Sequence, residues 1–87
     1  MIVKLKGKID NYSDNFTDIN VKDIVYRILM TNSNIEFFKE ITTEVEIFIY
    51  EIIKEDSRTF VGFKGFQERE VFSDLLTVQG VGSKMAI

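Results

Sequence analysis

The sequence predicts a mainly β fold: a five-stranded OB-fold Greek-key barrel followed by a helical segment. Three observations lead there. Five segments between residues 3 and 64 carry apolar residues with the period of a strand. A short polar stretch with helix-start chemistry interrupts them before the fourth. From Gln67 the apolar spacing becomes that of a helix.

The first strand alternates cleanly. Val3, Leu5, Gly7 and Ile9 share one face, and Lys4, Lys6 and Lys8 share the other. Residues 11–15, rich in Asn, Ser and Asp, read as a turn. Residues 16–21 form the second strand. Lys22-Asp23 has the length of a two-residue hairpin loop, without the glycine such loops prefer. Residues 24–30 form the third strand, with Val25, Arg27 and Leu29 opposite Ile24, Tyr26 and Ile28.

Across residues 31–40 the alternation breaks. Ser33 is the expected cap of a short helical turn, with Glu36 completing a capping box. Residues 44–53 return to period two, with Val45, Ile47, Ile49 and Ile53 facing one way. Phe48, Tyr50 and Ile52 load the opposite face, so this strand is expected to be covered in part on both sides. Lys54-Glu55-Asp56-Ser57 is a polar tip, and residues 58–64 make the fifth strand. Beyond Gln67, Val71, Phe72, Leu75 and Leu76 form the expected buried face of a helix, with Glu68, Arg69, Glu70 and Asp74 mostly off it. The boundary near Gly65 separates a barrel over 1–64 from a helical segment over 65–87.

Composition narrows the chemistry. At 87 residues the chain is one domain, or one domain with part of a second. There is no cysteine and no histidine. Disulfides, thiol catalysis, thiolate metal sites and the commonest general base are therefore all absent. A secreted domain this small usually needs covalent staples, so a cytoplasmic setting is expected. No run approaches the ~18 apolar residues of a membrane span, and no signal peptide opens the chain. The sequons at Asn11 and Asn15 are accidental on that reading. The net charge of −3 argues mildly against a nucleic-acid partner, so such a partner would need a favourable charge distribution.

One loop supplies that distribution. In Gly80-Val81-Gly82-Ser83-Lys84, Gly80 can adopt a left-handed conformation and stop the preceding helix. Gly82 has no Cβ and lets another group approach the backbone closely. Ser83 and Lys84 then occupy the first turn of the next helix, where unpaired amides sit at the positive end of the dipole. The natural ligand is an anion, here a phosphate held by backbone amides and the Lys84 charge, with no base read. The same loop can also serve simply as a connector between packed helices. The order helix, Gly-x-Gly loop, helix is the pattern of a helix-hairpin-helix motif, which grips DNA backbones without sequence preference.

Along essentially all its residues the chain resembles the N-terminal part of the RuvA family, the junction-binding subunits of the bacterial RuvAB branch-migration complex. MIVKLKGKI resembles that family's opening strand, KEDSRTFVGF (residues 54–63) its acidic tip and following strand, and FQEREVFSDLLTVQGVGSKMAI its next helix and first helix-hairpin-helix. Residues 10–43 agree mainly in strand layout. Val3 stands where glycine is usual, Lys22-Asp23-Ile24-Val25 replaces a glycine-rich turn, and Ser83 stands where proline is usual. None of these removes a residue of the expected phosphate loop or acidic tip.

The resemblance implies a non-catalytic, cofactor-free subunit that binds four-way (Holliday) junctions in recombination and repair. It implies a homotetramer around an open junction, with the RuvB motor and the RuvC resolvase as partners. ATP hydrolysis would belong to RuvB, which contacts a C-terminal domain not among these residues. The chain would then carry the barrel and the first half of a helix-hairpin-helix domain.

The resemblance also gives Glu55 and Asp56 a role, as an acidic pin projecting at the junction centre. Two carboxylates from each of four subunits would repel phosphates within a Debye length of ~8–10 Å. Other readings of the same residues stay open. Glu-Asp at a hairpin tip is ordinary solvated polarity, and a carboxylate pair can hold magnesium. Lys4, Lys6 and Lys8 can follow a DNA backbone or simply protect an edge strand. Phe48, Tyr50, Phe60 and Phe63 can stack on bases, as in a generic single-strand-binding OB module, or fill the core. Arg58 and Arg69 can meet DNA or pair with acids.

Overall fold

The computed structural model describes residues 1–79, with side chains to residue 76. Five strands and two helices follow one another: β1 (Lys4–Tyr12), β2 (Phe16–Val21), β3 (Ile24–Leu29), α1 (Asn32–Phe38), β4 (Val45–Ile53), β5 (Arg58–Phe63) and α2 (Phe66–Gln79). The strands close into a barrel in the order β1-β2-β3-β5-β4. All neighbours are antiparallel except β3 and β5, which run parallel. This is the expected OB-type barrel and helix.

β1 serves two neighbours. Its first half pairs with β4 and its second half with β2, and a register shift between Ile9 and Asn11 lets it bend from one to the other. Gly7 sits where the two pairings meet. A Cβ there would collide with the backbone carbonyl of Asn20, so the sharp turn of the wall needs glycine. The β2–β3 loop is the expected two-residue connection. Lys22 and Asp23 both take positive φ, 51° and 73°, as a tight hairpin matching strand twist requires. The Asn20 side chain accepts a hydrogen bond from the Asp23 amide at 2.9 Å and supports that conformation.

Alternation fills the barrel. Leu5, Ile19, Ile28, Ile47 and Ile49 point inward and are joined by Met30, Val45, Ile35 and Phe38. The last two come from α1, which covers one end of the barrel. α1 is capped by Thr31, whose hydroxyl accepts from the Asn34 amide at 3.3 Å. The cap is therefore two residues earlier than the expected Ser33. Thr31, Asn32, Ser33 and Asn34 all have cap chemistry, and starting at Thr31 puts Ile35 and Phe38 on the inner side.

α2 packs on the outer face of β4 and β5. Val61, Phe63 and Phe72 form a second buried cluster, with Phe48, Tyr50, Ile52 and Leu76 packed around it. Both faces of β4 are thus covered in part, as its double loading implies. The buried face of α2 keeps Phe72 and Leu76 of the four expected residues and leaves out Val71 and Leu75. Arg69 and Phe72 are buried, whereas Val71 is 59% and Leu75 39% exposed. Arg69 joins that face, where its Nε donates to a β4 carbonyl that no apolar side chain could satisfy. Ile53 lies on the same side of β4 as Val45, Ile47 and Ile49, as expected, but past the end of the core. It is exposed, and Glu51, two residues before it on the same side of β4, is buried instead.

Candidate nucleic-acid interface

The geometry of the polar tip follows from where the strand pairings stop. β4 meets β1 only through its first four residues, from Val45 to Phe48, with one more hydrogen bond from the Ile49 amide to the Val3 carbonyl. β5 meets β3 only at Phe60 and Val61. Beyond these points the two strands pair only with each other, through Ile52↔Thr59 and Ile53↔Arg58. The hairpin therefore leaves the barrel as a two-stranded ribbon. The Lys54 amide donates to the Ser57 carbonyl at 2.8 Å and closes the turn.

Glu55 and Asp56 occupy that turn. Residues 53–58 are all exposed. Among the described residues neither carboxylate takes part in an ion pair. No group of three or more metal-ligating side chains lies among the described residues, so nothing there completes a cation site around the two. The tip is a projecting pair of unneutralised anions.

The base of the ribbon is different. Glu51 has a side chain only 3% exposed, and its Oε2 forms an ion pair with Arg58 Nε at 2.7 Å. Its Oε1 accepts a hydrogen bond from the Ile2 amide at 2.9 Å. Both oxygens are thus engaged, as a carboxylate taken out of water requires. Arg58, by contrast, is 62% exposed. Sequence reasoning passed over Glu51. The legible signal was an acid on the face of β4 whose other positions, Val45, Ile47, Ile49 and Ile53, are apolar.

The remaining cations divide sharply. Lys4 pairs with Glu46 at 3.3 Å and Lys6 with Glu44 at 3.7 Å, so two lysines of the basic strand face are balanced by the neighbouring segment. Lys8 forms no ion pair among the described residues. Arg27 grips Asp18 through two hydrogen bonds of 2.9 and 3.0 Å and lies over the Phe16 ring, 3.9 Å from its centroid. Hydrogen bonding from that guanidinium holds the Asp18 carboxyl below its ordinary value, against the opposing effect of burial. Arg69 is buried: its Nε donates to the Ile49 carbonyl at 2.7 Å, and its Nη1 pairs with Glu70 at 2.8 Å. It is a fastener between helix and barrel.

The aromatic rings are likewise committed to packing. Tyr50 and Phe63 meet Phe72 with centroids 5.4 and 5.3 Å apart, Phe48 meets Phe66 at 5.7 Å, and Phe60 meets Tyr26 at 5.8 Å. The stacking surface of a single-strand-binding module is not assembled from these four rings. The expected phosphate loop, Gly80, Val81, Gly82, Ser83 and Lys84, lies outside the described residues.

Among the described residues no helix is long and apolar enough to cross a membrane. Residues 1–62 match the family model described as RuvA N terminal domain. The whole chain also aligns with curated proteins bearing the name Holliday junction branch migration complex subunit RuvA. It is 34% identical over 87 residues to the protein from Halothermothrix orenii, covering 44% of that protein. It is 33% identical to one from Rhodopseudomonas palustris, covering 42%, and 34% identical to one from Zymomonas mobilis, covering 41%. The chain thus spans less than half the length of these relatives.

Proposed function

The chain belongs to the RuvA N-terminal domain family, and from that premise we propose that it is the barrel-bearing part of a non-catalytic subunit that recognises four-way DNA junctions. In this reading residues 1–64 are the barrel, and residues 65–87 begin a helix-hairpin-helix domain. The amides of Gly80, Val81, Gly82 and Ser83, with the Lys84 ammonium, hold a backbone phosphate. Glu55 and Asp56 keep phosphates away from the crossover. The complete protein assembles as a homotetramer, and the RuvB motor drives branch migration on the junction it holds. The RuvC resolvase acts on the same junction.

The observation that carries the reading is the ribbon that leaves the barrel with two exposed, unpaired carboxylates at its turn. A stability role for them has no partner to act through. A repulsive role needs only their projection and charge. The alternative, a generic single-strand-binding OB module, loses its main support because its aromatic platform is occupied by α2 and by core packing.

Gly82→Asp combined with Lys84→Glu in the full-length protein separates the two. The junction reading expects loss of four-way-junction binding with folding intact. Unchanged junction binding, together with tight binding of oligo-dT, would transfer the function to the barrel surface.

A further inference from the structure

Arg58 and Glu51 suggest that the acidic ribbon has a second, attractive half. Opposed pairs on a hairpin share a face, and so do residues two apart on one strand. Glu51, Ile53, Arg58 and Phe60 therefore lie on one side of the ribbon. At Phe60 that side packs against the barrel core; at Arg58, past the last barrel pairing, it meets solvent.

A free arginine at such a site would sample many rotamers. Here Nε is tied to a carboxylate that is itself fixed by burial and by the Ile2 amide. With Nε ion-paired to Glu51, the terminal nitrogens of an exposed guanidinium keep donors for a further acceptor. Other ion pairs of the described residues lack this asymmetry between a deeply buried acid and a mostly exposed base, except Asp18–Arg27. That pair has closed both carboxylate oxygens on the guanidinium and laid it against Phe16.

We propose that Arg58 is a phosphate-binding residue at the base of the acidic turn and that Glu51 is the positioning residue that orients it. The ligand class is a backbone phosphodiester of the DNA strand turning past the ribbon. This rests on the junction-binding reading above. The tip would repel phosphates while a fixed guanidinium three residues from Glu55 receives one, so that the strand is led around the ribbon instead of merely excluded.

The test uses the full-length protein, an immobile four-way junction and a linear duplex, with affinities measured across a salt series. Arg58→Gln is expected to weaken junction binding by about ten-fold and to lower the log–log salt slope by about 0.9 for each Arg58 copy in contact. Duplex binding should change little. Arg58→Lys keeps the charge but not the fork, and should recover only part of the affinity. Glu51→Gln removes an anion, so simple electrostatics predicts tighter binding; the positioning role predicts weaker binding with the salt slope largely kept. Junction affinity unchanged in Arg58→Gln, or tightened in Glu51→Gln, overturns the proposal. If the unsubstituted protein binds junction and duplex equally, the junction reading itself fails, which is a separate result. Thermal unfolding of each variant checks that the barrel is intact.

Discussion

Arg69 donates its Nε–H to the carbonyl of Ile49 across 2.7 Å, from the buried side of α2 to the middle of β4. One bond therefore ties the first helix after the barrel to the strand that runs out into the acidic ribbon. Its guanidinium also pairs with Glu70 and lies 5.4 Å from the Tyr50 ring centroid. The orientation of α2 relative to the ribbon is set through this contact and the Phe72 cluster.

Arg69→Met keeps much of the side-chain volume and removes the donors. It leaves a buried carbonyl unpaired and should destabilise the protein by about 1.5–3 kcal/mol. Urea unfolding measures the loss. Amide exchange should quicken in α2 before it quickens in β1 or β2; uniform quickening would mean that the helix and barrel open together regardless of this bond.

The two crowded glycines should rank in order. A Cβ on Gly62 would collide with the Ile28 side chain and lie 2.9 Å from Ile47 Cγ2 and 3.0 Å from Met30 Cε. Those are side chains that can shift, so Gly62→Ala should cost about 1–3 kcal/mol. At Gly7 the obstacle is the backbone of Asn20, which cannot step aside without breaking the β1–β2 pairing. Gly7→Ala should be the more damaging in thermal melts.

The Asp18–Arg27 pair predicts a specific acid sensitivity. Because hydrogen bonding from Arg27 lowers the Asp18 pKa in the folded state, ionised Asp18 favours folding. That contribution is fully present above the unfolded carboxylate value near ~3.9 and is lost as pH falls through the lower folded value. Asp18→Asn should therefore flatten the stability profile below about pH 4. A variant profile parallel to the unsubstituted one down to the lowest pH would show that other carboxylates carry the acid transition.

Glu55→Lys with Asp56→Lys should leave barrel stability within about 0.5 kcal/mol, since both side chains are exposed and unpaired. In the full-length protein the same change should tighten DNA binding and alter the branch-migration rate. Weakened binding would make the carboxylates structural.

The barrel was legible in the sequence because a half-buried strand writes its own period. The alternation of Leu5, Gly7 and Ile9 against three lysines, and the isoleucines of β4, located the walls. The Lys22-Asp23 turn was legible from its length alone, although neither residue favours the positive φ it adopts. What escaped were positions where a polar group is buried for the sake of a partner distant in sequence. Arg69 answers a carbonyl on β4, and Glu51 answers Arg58 and the Ile2 amide. Apolar periodicity counts neither, so it put Val71 and Leu75 on the buried face of α2 in place of Arg69 and passed over Glu51. The α1 cap slipped by two residues because four consecutive residues can all cap, and only the burial of Ile35 and Phe38 selects among them.

The most direct measurement is a binding comparison of a four-way junction with a linear duplex of the same length, made on the full-length protein across a range of salt. Strong preference for the junction, insensitive to base sequence and falling steeply with salt, is the predicted result. Equal affinity for the two DNAs at every salt concentration would contradict the account.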